Sequence, residues 1–319
     1  MRQSAVHMIS PAEPTSPAGP AARPDPVRAA RLRAVAFVVG SAGTFALAAA
    51  AVKALGGSVP LPEAVLFRNL FALPPLLFLA AWTVPGGLRA ALRTRHPRLH
   101  LERLFSGLAG MFGSFYGYVH LPLATVTALN FTMPLFLTAL SVLVLGEKVD
   151  RRRLAVVVAG FVGVLIMLRP GGEGLHLGAA LAVLGAAFGW ALAMLSIRRM
   201  GQSGESGTTI VLWFTIGAAV VSGALSVPVW VWPGPTGWFW LAVTGIVSVA
   251  AQLMMTAAYR SADSTLLAPF EYTAILWTTA MGVLLWDEVP DLWDLVGFAV
   301  LVSAGLAMWR LELRKGPGA

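Results

Sequence analysis

With 57% hydrophobic and only 12% charged residues over 319 positions, the chain carries about half the usual charged fraction, which excludes an ordinary soluble domain. Its formal charge of +8 does not point to nucleic acid, because the basic residues sit in short connections between apolar runs and not on one soluble face. The absence of cysteine rules out disulfides, thiol catalysis and thiolate metal sites.

Residues 1–30 are rich in Pro and Ala without an apolar period and read as a disordered cytoplasmic tail. The first apolar run follows Arg28, Arg31 and Arg33, as in a signal peptide, but it has a counterpart later in the chain and is read as a retained span. A span needs about 20 apolar residues. Ten stretches qualify: 34–53, 62–82, 103–120, 123–145, 153–169, 176–198, 208–231, 237–257, 264–286 and 292–310. The third is short, and its Gly107, Gly110, Gly113 and Gly117 form a stripe suited to close helix contact. With the N-terminus in the cytoplasm, twenty Lys and Arg fall on the cytoplasmic side, Arg103 counted among them as a loop residue; only Lys53 and Arg169 fall outside. Both ends are basic, so the number of spans is even and both termini are cytoplasmic. The outer segment WDEVPDLWD has four acids and no Lys or Arg, as this orientation requires.

The stretch from Tyr118 to Glu147 returns from Tyr259 to Glu288 at a constant offset of 141. Tyr118, Thr132, Leu135, Thr138, Ala139, Val142, Leu143 and Glu147 are identical to their partners, and from Thr132 to Val142 the identities recur at the spacing of one helix face. GSAGTFALAAAAVK in span 1 is similar to GAAFGWALAMLSIR in span 6. Span 1 leaves the cytoplasm and span 6 enters it, so spans 1–5 (residues 31–170) and 6–10 (residues 171–312) are expected to be inverted copies, with residues 313–319 a short cytoplasmic tail. Such copies serve alternating access around a site at the bilayer midplane.

These runs resemble the drug/metabolite transporter superfamily, and specifically its ten-span members with two EamA-type repeats. The carriers are PLATVTALNFTMPLFLTALSVLVLGEKVDRRR with GFVGVLIMLRPG behind it, ADSTLLAPFEYTAILWTTAMGVLLWDEVPD in the second half, and PEAVLFRNLFALPPLL in span 2. The last is closest to the branch related to riboflavin and S-adenosylmethionine uptake carriers. The resemblance spans about residues 30–312. It implies an all-α membrane protein with cytoplasmic termini and a cavity between the halves, in a bacterial inner membrane, monomeric or homodimeric. It also implies transport of a small organic metabolite such as an amino acid, a vitamin or a cationic or aromatic compound, driven by a proton or substrate gradient, with export and uptake both open. The second half departs from the first where Pro134 faces Ile275 and Pro269 faces Ala128, so the two halves are expected to bend at different levels.

Glu271 lies roughly 10 Å inside span 9 at the helical rise. A carboxylate there is costly and marks a coupling group or a counter-ion for a cationic moiety; the alternative is a structural helix–helix hydrogen bond. Its repeat partner Asn130 shares a face with Thr127 and Pro134, and a polar residue beside a helix-interior proline suggests carbonyls lining a cavity. Arg68 in span 2 attracts an anionic group, pairs with a carboxylate such as Glu271 or Glu63, or snorkels outward. Gln252 is a lone amide in span 8. Trp190, Tyr116, Tyr272 and Trp277 are ring platforms for a planar solute or packing residues, with Trp190 favoured because its repeat partner is Phe45. Glu147 and Glu288 close spans 4 and 9 and suggest salt bridges or caps, with a gating role open. The five His have no ligand spacing, and no nucleophile-and-base set or phosphate loop is present, so neither an enzyme nor a metal or cofactor site is expected. The rival reading is a membrane scaffold or assembly subunit, which has no need of an inverted repeat.

Overall fold

The computed structural model describes residues 26–145, 151–169, 176–261, 267 and 270–313. Glu147, Pro269 and the tail up to residue 25 lie outside them. The regular structure of the described residues is all helical, with no strand among them. The helices are α1 (Pro26–Ala54), α2 (Leu61–Thr83), α3 (Gly87–Ala91), α4 (Pro97–His120), α5 (Leu123–Asn130), α6 (Met133–Leu145), α7 (Arg151–Leu168), α8 (Leu177–Gln202), α9 (Gly207–Ser226), α10 (Pro235–Ser261), α11 (Thr273–Trp286) and α12 (Leu292–Leu313). Six helical stretches are long and apolar enough to cross a membrane by length and composition alone, and shorter apolar helices cover 123–137, 154–168 and 273–286. The helix containing the third predicted span is long, but Arg98, Glu102, Arg103 and four glycines dilute its apolar character.

Local chemistry sets the ends. Helix α1 begins at Pro26, inside the stretch expected to be a tail, because a first-turn proline has no amide to leave unbonded. Helix α9 stops at Ser226 and not at residue 231, since Pro228 turns the chain into a 3-10 turn over Val227–Val229. Gly86, at φ 88°, lets the chain reverse into α3.

Exchanging each helix with its repeat counterpart maps the main contacts onto one another. Helix α4 packs along α8 and α1 along α10, while α2–α9 and α7–α12 exchange into themselves. The glycine stripe makes the α4–α8 contact. A Cβ at Gly110 would lie 2.7 Å from the Trp190 ring, and one at Gly189 would lie 2.7 Å from the Ser106 carbonyl.

The bend expected at Pro269 lies outside the described residues; where the described helices break, the two halves do so at one level. The chain leaves the α-helix at Phe131–Thr132 and at Tyr272, and Phe131 and Tyr272 are repeat partners. Proline is not the shared cause. Thr132 donates its hydroxyl to the Leu129 carbonyl at 2.7 Å, and Thr273 donates to the Phe270 carbonyl at 2.6 Å, the same bond at the same register. A threonine hydroxyl bonding back to a carbonyl of the preceding turn bends a helix. The Phe131 and Tyr272 rings stack with centroids 4.7 Å apart, so the two breaks touch.

Candidate functional site

A cavity of about 620 Å³, its mouth included, lies where α2 and α4 of the first half face α8, α9 and α10 of the second. The enclosed part is only about 100 Å³, below the roughly 300–1,000 Å³ of small-molecule sites, so a ring-sized solute requires it to widen. Its polar wall is Arg68, Asn69, Arg103, Thr215, Ser248 and Gln252, and its ring wall is Trp190 and Phe214. Among the described residues, no carboxylate lines it.

The elements explain how each group arrives there. Arg68 and Asn69 come from the middle of α2. Asn69 donates to the Val65 carbonyl at 2.7 Å, and both side chains reach the sulfur of buried Met111 at 3.7 Å. Arg103 stands one turn before Gly107 on the glycine face of α4. Its guanidinium lies 4.0 Å from the Phe214 ring centroid and 5.9 Å from that of Trp190, in cation–π contact. Arg103 Nε and Nη1 and Asn69 Oδ1 are buried without a hydrogen-bond partner. Buried polar groups are nearly always satisfied, and exceptions need a reason.

Of the residues expected from sequence, Arg68, Gln252 and Trp190 come together in this cavity. The others lie elsewhere. Asn130 ends α5 and accepts the Ser114 hydroxyl at 3.3 Å. Pro134 sits in the first turn of α6, past the Phe131–Thr132 break, where it has no amide to offer the Asn130 carbonyl. Glu271 is half-buried just ahead of α11, and Tyr272 beside it packs on Phe131 and on Gly305 of α12. Tyr116 stacks on His120 at 4.1 Å, and Trp277 packs against Gly43 of α1.

Arg103, Asn69, Phe214, Thr215 and Ser248 were not among the sequence candidates. Arg103, counted as a loop cation, is instead part of the cavity wall. Its spacing of four and seven residues from Gly107 and Gly110 already placed it on the stripe facing α8.

The end of the bundle where α1, α4 and α11 finish is tied shut. The chain turns through Asp287 at φ 54°, and the Glu288 amide bonds the Gly282 carbonyl at 3.1 Å, a Schellman closure of α11. The Glu288 carboxylate then leaves its own helix, forms an ion pair with Lys53 and accepts the Leu123 amide at 3.0 Å at the first turn of α5. An acid that would oppose the dipole of α11 thus favours that of α5. Lys53 also donates to the Leu121 carbonyl at 2.8 Å. Nearby, Glu63 accepts the Val231 amide at 2.6 Å, and Phe67 meets the Trp238 ring edge-on at 4.7 Å. At the opposite, basic end, His100 meets Glu205 at 3.4 Å, and Arg199 and Glu102 approach only to 3.9 Å.

Residues 32–169 and 177–309 each match the EamA-like transporter family. A riboflavin transporter of Vibrio cholerae is 32% identical over 71% of this chain and 76% of its own. An S-adenosylmethionine uptake transporter of Rickettsia prowazekii is 27% identical over 80% and 84%. A pseudopaline exporter of Pseudomonas aeruginosa is 28% identical over 84% and 93%. A solved crystal structure, 21% identical, shares the fold with a TM-score of 0.58 over 91% of this chain and 99% of that one. With both halves matched, the chain belongs to the EamA-like transporter family, and it is a multi-pass membrane transporter rather than an enzyme.

Proposed function

We propose that this protein is a secondary carrier that takes up a small, ring-bearing metabolite across a bacterial inner membrane by alternating access. Its ten spans form two inverted five-helix units, over residues 31–170 and 171–312, with both termini in the cytoplasm. The observation that carries this reading is the cavity between the halves, lined by the Trp190 and Phe214 rings and by polar side chains. The lopsided distribution of Lys and Arg supports the orientation. The tie among Lys53, Glu288 and Leu123 would then close the outer end and leave the site facing the cytoplasm. The flavin named for the Vibrio relative is a planar ring system of the kind Trp190 and Phe214 can stack. Of the solute classes open from sequence, a cation fits least, because two guanidiniums line the space.

Flux in liposomes tests the reading. With protein reconstituted in one orientation, riboflavin and an aromatic amino acid are offered with and without a pH gradient. Uptake of at least one is expected, and Trp190→Ala is expected to reduce it tenfold or more, since one base–aromatic stack is worth about 1–3 kcal/mol. Uptake unchanged in Trp190→Ala would move the site elsewhere. Glu271, a carboxylate at membrane depth, is proposed as the coupling group; Glu271→Gln is expected to abolish the response to the pH gradient, and a response equal to wild type removes it from the mechanism.

A further inference from the structure

Two cations share this cavity without a counter-ion. Arg68 and Arg103 both line it, and among the described residues neither forms an ion pair with a carboxylate. The contacts of Arg68 to sulfur, at 3.7 Å, are weak. Two donor atoms of Arg103 are buried and unbonded, although its flat face is covered by Phe214. With Nη1 packed on Gly107 and the flat face covered by Phe214, the guanidinium keeps Nη2 for the cavity, a charged N–H donor that suits carboxylate and phosphate oxygens. Leaving such groups unsatisfied in a low-dielectric space is unfavourable, and so is holding two like charges there; a bound anion relieves both. Asn69 Oδ1, unbonded in the same wall, adds one acceptor for an N–H or O–H of the solute.

We infer that the carrier selects solutes bearing a carboxylate or phosphate, held between Arg68 and Arg103, with their ring against Trp190 and Phe214. The inference rests on the cavity being the substrate site, as proposed above, and goes further by fixing the charge of what enters.

Binding to the purified full-length protein in detergent, followed by tryptophan fluorescence and calorimetry, tests it with two matched pairs. Riboflavin is compared with riboflavin 5′-phosphate, and indole-3-acetamide with indole-3-acetate. The charged member of at least one pair is expected to bind tenfold or more tighter, and the pair that shows it tells phosphate from carboxylate. Arg103→Gln and Arg68→Gln are expected to bring that ratio to within about twofold. Arg103→Lys, which keeps the charge and loses the guanidinium, is expected to retain part of the preference and guards against a folding defect. Equal binding of charged and neutral members to the wild type overturns the anion inference and leaves the cavity reading intact. A preference that survives both Gln variants also overturns it. Binding of no ring-bearing probe, charged or neutral, overturns the cavity reading and this inference together.

Discussion

Asp291 and Asp294 cap α12 reciprocally. The Asp294 amide donates to Asp291 Oδ1 at 2.9 Å and the Asp291 amide to Asp294 Oδ2 at 3.2 Å, the capping-box geometry. Arg169 adds an exposed contact to Asp291 at 2.5 Å. The amide of Asp294 first, and the Arg169 guanidinium after it, hold the Asp291 carboxyl below its ordinary value. Its folded pKa is therefore depressed, so its contribution to stability is fully present above the ordinary aspartate pKa of about 3.9 and is lost as pH falls through the lower native value. Asp291→Asn is expected to flatten the acid limb of thermal stability measured from pH 6 down to 3, and a limb as steep as wild type would show that Asp291 does not contribute. At this scale the sequence is informative where a charge sits alone in an apolar run. Arg68 stood out for that reason. Arg103 did not, because it lies a few residues from Arg98 and the loop arginines, and only the helix face it shares with Gly107 separates it from them.

The break shared by the two halves belongs to the element scale. Proline is the obvious breaker in sequence, and it pointed to different levels because Pro134 and Pro269 are out of register. Thr132 and Thr273 are in register and were already visible as one of the repeat's identities, but a threonine in an apolar run signals nothing until its hydroxyl is seen on the carbonyl three residues back. Thr132→Val and Thr273→Val keep shape and remove that bond. Each is expected to change stability by no more than about 1 kcal/mol and to lower transport rate more than substrate affinity, as read from flux against equilibrium binding. Matched losses of rate and affinity would mean that the bends only shape the site. The glycine stripe is an element-scale feature that was fully legible, because small residues three and four apart leave little else for a helix face to do.

At the scale of the whole molecule, the exchange symmetry of the helix contacts followed from one offset in sequence, whereas the tie through Glu288 did not. One end is tied by Glu288 to two other helices; at the other, the described ion pairs are long. Both Lys53 and Glu288 side chains are largely shielded from solvent, so removing one partner leaves a buried charge, a loss of about 3–5 kcal/mol. Lys53→Met is expected to lower the melting temperature clearly, and Lys53→Met with Glu288→Gln to recover part of the loss. If the double change is simply the sum of the singles, the pair is not coupled.

The ring contact between Phe131 and Tyr272 has a mechanical meaning. The two helices that change direction do so against each other, back to back on the line relating the halves. Under the alternating-access reading proposed above, the pair would act as a fulcrum, returning tilt in one half as tilt in the other. Because the chain holds no cysteine, thiol cross-links placed on either side of that point would record such a see-saw without background.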